Sequence, residues 1–221
     1  DGNGTDSGHV RIYDYNGSAW VQVGADIDGE AAGDNSGWSV SLSSDGSRVA
    51  IGADGNDGAQ YSNKTNSGHV RIYEYSSGSW NQLGADIDGE AAGDNSGYSV
   101  SLSSDGSRVA IGAPSHAGNG NLSGNVRIFQ YDLENNRWLR VGNIDGEAAG
   151  DGSGYSVSLS SDGSRVAIGA SGNDANGTNS GHVRIYDYNG SSVWGQVGAD
   201  IDGEAAYDTS GYSVSISSDG S

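Results

Sequence analysis

Cysteine is missing from this chain, which excludes a disulfide scaffold and any thiol chemistry. Methionine is missing too, and no signal peptide stands at the start, so the expectation is that processing or excision made these ends. Positive charge is scarce. Lys64 and nine arginines face 29 aspartates and glutamates, for a net charge of -19. Nucleic acid and anionic lipid both require clusters of basic residues, so neither is an expected partner. No apolar run approaches the eighteen or so residues of a membrane helix, and membrane insertion is not expected. No stretch carries a helical apolar period, so the chain is expected to be all-β.

What the sequence does have is repetition. Ser7-Gly-His-Val-Arg-Ile-Tyr13 returns at 67–73, as Ser123-Gly-Asn-Val-Arg-Ile-Phe129, and at 180–186. The valines at 10, 70, 126 and 183 are separated by 60, 56 and 57 residues, the scale of one supersecondary unit per repeat. Each unit then has to bury its apolar face against a neighbour. Four short strands fit the period. Strand A, 38–43, alternates Ser with Val and Leu; strand B, 48–53, reads Arg-Val-Ala-Ile-Gly-Ala, and the two are joined by Ser44-Asp45-Gly46-Ser47, a tight-turn signal. Strand C covers 69–75, with Val70 and Ile72 on one face and Arg71 and Tyr73 on the other; strand D runs from Trp80 to about Ile87. Four antiparallel strands in this length predict β-propeller blades, with Ser-rich strand A at the crowded axis. Most arginines fall in strand B or C at fixed positions, where pairing with the surplus carboxylates is their plain reading.

By this reading residues 1–37 form a partial blade (strands C and D), 38–97, 98–154 and 155–211 form blades, and 212–221 begin another. The set lacks one strand B, so the ends do not close a ring by sharing a blade. A segment of a larger propeller is expected, completed by further blades of the same protein or by other copies of the chain.

Ser36-Gly-Trp-Ser-Val-Ser-Leu-Ser-Ser-Asp-Gly-Ser-Arg-Val-Ala-Ile-Gly-Ala53, an Asp/Asn/Gly loop and Gly68-His-Val-Arg-Ile-Tyr73 together resemble an FG-GAP repeat of integrin α-subunit type, above all its bacterial branch in large secreted proteins. Ser36-Gly37 stands at the family's Phe-Gly, and Gly112-Ala113-Pro114 is a literal Gly-Ala-Pro. The resemblance implies a propeller, commonly seven-bladed, used for extracellular adhesion or ligand binding, and a secreted or cell-surface location. Calcium-binding members of that family carry an Asp-rich loop between strands A and B. Here the hairpins at 43–48, 103–108 and 160–165 keep one carboxylate each, too few oxygens for that site.

A second acidic pattern remains in the D-to-A links. Asp26, Asp28, Glu30 and Asp34 recur as Asp86, Asp88, Glu90 and Asp94, as Asp200, Asp202, Glu204 and Asp208, and, with Asn143 replacing the first, as Asp145, Glu147 and Asp151. Either these groups build turns by accepting backbone N–H bonds, or each loop wraps a hard cation, with Ca2+ the candidate. His9, His69 and His182 share a position with Asn125, which reads as a common hydrogen-bonding role. Trp20, Trp80, Trp138 and Trp194 read as packing residues.

The links from B to C, at 54–67, 114–123 and 171–180, vary in length and content, whereas Ser-Ser-Asp-Gly-Ser between A and B is constant. Variable loops on a constant scaffold suit recognition. The expected ligand contacts are therefore Asp54, Asn56, Asp57, Asn173 and Asp174, with Trp38, Tyr98, Tyr155 and Tyr212 at the start of each strand A. No nucleophile elbow, phosphate loop or His/Cys metal motif appears, and the repeated carboxylates lack the asymmetry of a catalytic pair, so the chain is expected not to be an enzyme. Recognition of an extracellular protein or glycan is the leading expectation. The alternatives are a lectin with one site per blade and a structural repeat of a surface filament or matrix.

Overall fold

The computed structural model describes residues 2–58, 65–191 and 193–221. Every regular element in it is a strand. After two short pairs, β1 (His9–Val10) with β4 (Ile27–Asp28) and β2 (Tyr13–Tyr15) with β3 (Trp20–Gln22), come three antiparallel sheets. The first orders β5 (Ser39–Leu42), β6 (Arg48–Ala53), β7 (His69–Ser76) and β8 (Ser79–Gln82), with β9 (Ile87–Asp88) also on β7. The second orders β10 (Ser99–Leu102), β11 (Arg108–Ala113), β12 (Asn125–Asp132) and β13 (Arg137–Asp145). The third orders β14 (Ser156–Leu159), β15 (Arg165–Ala170), β16 (His182–Tyr188) and β17 (Trp194–Gln196), with β18 (Ile201–Asp202) on β16.

Strand D departs from the sequence expectation. In the first and third sheets it is split into β8 and β9 or β17 and β18, because after Leu83, whose N–H still donates to Ile72 O at 2.8 Å, residues 84–86 leave the ladder. In the second sheet Asn143 follows Gly142 directly, one residue shorter than Gly84-Ala-Asp86. The strand is then continuous, with a single register shift at Ile128/Phe129. Residues 212–221, expected to begin a further blade as a strand A, carry no strand pairing in the described structure. They still lie along β14, with the Ile216 N–H donating to Ser158 Oγ at 3.2 Å.

The core lies between the sheets rather than within one. Val70, Ile72 and Ala50 of the first sheet pack with Val100, Leu102, Val109 and Ile111 of the second, and Ala110, Val126 and Ile128 of the second pack with Leu159, Val166 and Ile168 of the third. Polar ties repeat at each junction. Trp80 Nε1 donates to Val23 O at 2.8 Å and Trp138 Nε1 to Leu83 O at 2.8 Å, so these tryptophans join blades, each across its predecessor's outer strand. Arg108 reaches forward to Gly163 O at 2.7 Å, while Arg127 reaches back to Asp88 O at 2.9 Å. At the axis, Ser99 Oγ donates to Gly154 O at 2.8 Å and Ser101 Oγ accepts the Leu159 N–H at 2.9 Å. A bulky strand A would block that approach, which is why serine alternates there. Gly112 is required for the same reason, since a Cβ on it would sit 2.0 Å from Gly154 O.

Candidate functional face

Strand order places the ends of β6, β11 and β15, the starts of β7, β12 and β16, and the D-to-A links on one face. There the first residues of successive A strands meet. Trp38 and Tyr98 have ring centroids 5.5 Å apart, Tyr98 and Tyr155 4.9 Å, and Tyr155 and Tyr212 4.9 Å, all tilted. The four expected contact aromatics thus form one ladder across the blades. Tyr98 and Tyr155 are half-buried within it, while Trp38 and Tyr212, at its ends, are 54% and 62% exposed.

The other expected contact residues are engaged in building their loops. Asn56 Oδ1 accepts the Gly58 N–H at 2.7 Å, Asp57 Oδ1 the Asn66 N–H at 3.0 Å, Asn173 Oδ1 the Ala175 N–H at 2.9 Å and Asp174 Oδ1 the Asn179 N–H at 2.7 Å. Asp54 is buried beside Asn35, and burial raises its carboxyl above the usual range. Residues 59–64, in the first B-to-C link, lie outside the described residues.

The acidic links do two different things. Asp34, Asp94, Asp151 and Asp208 each accept a backbone N–H three residues back, from Ala31, Ala91, Ala148 and Ala205, at 2.8–2.9 Å. Asp94 also meets His116 Nδ1 at 3.1 Å, a pairing across two blades that spacing did not suggest. Asp26, Asp86 and Asp200 accept from Gln22, Gln82 and Gln196 on their own hairpins. Asp28, Asp88, Asp145 and Asp202 lie opposite His9, His69, Asn125 and His182 in the ladder. Among the described residues, the groups of three ligand-type side chains that converge do not come from a single loop. They are Glu30 with His69 and Asp86, and Glu147 with His182 and Asp200, each drawing its glutamate from one repeat and the other two from the next. Glu90 and Glu204 belong to neither; Glu90 pairs with Arg140 at 2.7 Å. Sequence reading had left the histidines out of the candidate set. The first group opens on a cleft of about 640 Å3, also lined by Asp34, Asn56 and Asp88.

Both histidines are about 98–99% buried, at 2% and 1% exposure. Burial lowers their pKa, and the neighbouring Arg71 and Arg184 charges add to the effect, so the rings are held neutral.

Residues 145–186 match the family model described as FG-GAP repeat. No curated protein matches it in sequence. Among solved structures, a "putative 6-phosphogluconolactonase" of Bacteroides uniformis superposes with a TM-score of 0.59 at 13% identity, covering 91% of this chain and 50% of that one. A protein of the same description from Bacteroides fragilis gives 0.54 at 15% identity, over 82% of this chain and 43% of that one. A protein from Lactobacillus plantarum gives 0.53 at 15%, over 89% and 52%. The chain therefore shares a propeller fold with them and spans about half their length. These neighbours correct one expectation. The chain was expected not to be an enzyme, on missing catalytic motifs and on the repetition of its carboxylates, yet its fold is shared with proteins named as putative 6-phosphogluconolactonases, so the fold is compatible with an enzyme.

Proposed function

We propose that the chain is a recognition and adhesion module of a secreted or cell-surface protein, holding an extracellular protein or glycan on the face that carries the aromatic ladder. The ladder supports this reading because it is a continuous aromatic strip beside loops that differ from blade to blade while the scaffold under them is constant. A lectin with one site per blade is the second reading, supported by the recurrence of an aromatic ring at the start of strand A in four successive repeats, as Trp38, Tyr98, Tyr155 and Tyr212. Labelled protein is tested on a glycan array and on intact, protease-treated and periodate-treated cells. Binding that falls at least tenfold in a Tyr98→Ser/Tyr155→Ser variant with an unchanged far-UV CD spectrum supports recognition at the ladder, and the sensitive treatment identifies the ligand class. Equal binding by wild type and variant overturns it.

A further inference from the structure

The two side-chain groups that join neighbouring blades have a chemistry that a turn does not explain. His182 is 1% exposed, and both of its ring nitrogens lack a hydrogen-bond partner. A buried imidazole left so is costly, and burial without partners is tolerated where something else takes the lone pair. Its Nδ1 stands 3.7 Å from Asp200 Oδ2, and in the preceding copy His69 Nδ1 stands 3.8 Å from Glu30 Oε2 and 4.0 Å from Asp86 Oδ2. All three ligand atoms of each group lie within 4.8 Å of one another, and ligand atoms around a tetrahedral ion with bonds of about 2.0–2.1 Å are roughly 3.3–3.4 Å apart, so a contraction of about 0.3–0.7 Å in the histidine–carboxylate pairs given, and of at most about 1.5 Å in the others, brings them into range. Glu30 and Glu147 are exposed and have the rotamer freedom to supply it. Their far oxygens are already oriented. Glu30 Oε1 lies 3.6 Å from Arg71 Nη1 and Glu147 Oε1 lies 3.3 Å from Arg184 Nη1, the outer-shell support typical of a metal-ligating carboxylate.

The remaining junction acts as an internal control. There the histidine is Asn125, the aspartate is Asn143, and the two amides hydrogen-bond each other at 3.3 Å. The position of Gln82 and Gln196, opposite Tyr73 and Tyr186, holds Arg140, whose guanidinium meets Glu90 at 2.7 Å. All three changes fit one event: the ligands are gone, and a fixed positive charge from the protein neutralises the glutamate.

We infer that Glu30/His69/Asp86 and Glu147/His182/Asp200 are two equivalent sites for a divalent transition cation of the Zn2+ type, each clamping one blade to the next. An imidazole in the set favours such an ion over Ca2+, which takes oxygen ligands. Three protein ligands leave a further position, and in the first site that position faces the cleft its own ligands line. This inference is independent of what the aromatic ladder recognises.

Isothermal titration of the chain with Zn2+ tests it, together with a melting curve with and without the ion and a Co2+ absorption spectrum. The expected stoichiometry is two, falling to one in His69→Asn and in His182→Asn and to none in the double variant. Asparagine already occupies this position as Asn125 at 1% exposure, so these variants keep a residue the fold accommodates. A triple change, Asn125→His/Asn143→Asp/Arg140→Gln, should raise the count to three, a gain that damage to the fold does not produce. Zn2+ should raise the melting temperature of wild type and not of the double variant. Absence of Zn2+ binding in wild type at up to 100-fold molar excess, a count unmoved by the histidine substitutions, or displacement of Zn2+ by millimolar Ca2+ would overturn the assignment.

Discussion

Leu42 and Leu102 occupy the same position in successive repeats, yet Leu102 is 7% exposed and Leu42 is 49% exposed. The difference arises because Leu102 is enclosed between sheets, as Leu159 is at 7%, while nothing among the described residues covers the outer side of β5. Truncating Leu102 to alanine removes the transfer energy of the side chain and leaves a cavity, at a cost of about 3–4 kcal/mol. The Leu42→Ala change removes a side chain already half in water and creates no enclosed void, so roughly 1 kcal/mol is expected. A gap of about 2 kcal/mol is roughly thirtyfold in the unfolding equilibrium. Urea unfolding followed by tryptophan fluorescence should resolve it at micromolar protein. The experiment is then repeated at hundredfold higher concentration. If copies of the chain stack end to end, the cost of Leu42→Ala grows with concentration and that of Leu102→Ala does not. Equal costs for the two variants at the lowest concentration would refute the reasoning, because they would mean that β5 is covered in the isolated molecule.

Two further outcomes follow from the turns and the axis. Hydrogen bonds from the Ser47 N–H and from the Ser43 and Ser47 hydroxyls lower the Asp45 pKa to about 2. A depressed carboxyl contributes stability above its unfolded value near 3.9 and loses it as pH falls through the folded one, so the melting temperature should drop between about pH 4 and pH 2, with a shallower slope in Asp45→Asn; matching slopes would count against the turn's role. Gly112→Ala should cost roughly 3 kcal/mol or prevent folding, since its Cβ meets the Gly154 carbonyl at 2.0 Å, whereas Gly195→Ala, with nothing within 4 Å, should be close to neutral in the same melting assay.

The elements were legible because their signals are local. Alternating Ser-Val-Ser-Leu, the Asp-Gly turn and Arg-Val-Ala-Ile-Gly-Ala each act within a few residues, and the sheets follow them. What escaped sequence reading is carried between repeats, at separations near 57 residues, where adjacency along the chain gives no guide. Asp26, Asp28, Glu30 and Asp34 look like one loop's ligands because they are neighbours in sequence, but Glu30 faces His69 and Asp86 of the following repeat. Tyr98 was read as one blade's contact, yet its nearest rings belong to the blades on either side. One signal was available. Asn125 and Asn143 change together against His and Asp in the other complete repeats, and a paired substitution inside one chain marks spatial contact.

The hydroxyl ties along the axis have a direction. Ser39 donates forward to Gly97 O and Ser99 to Gly154 O, while the N–H groups of Leu102 and Leu159 donate backward to Ser41 and Ser101. The two sides of every junction are therefore different surfaces, complementary to each other and not to themselves. An assembly made by repeating that junction is heterologous and has no two-fold axis. Its fate rests on the angle between blades: a rotation that divides a full turn closes a ring of fixed count, and one that leaves a residual rise produces an open helix of unlimited length.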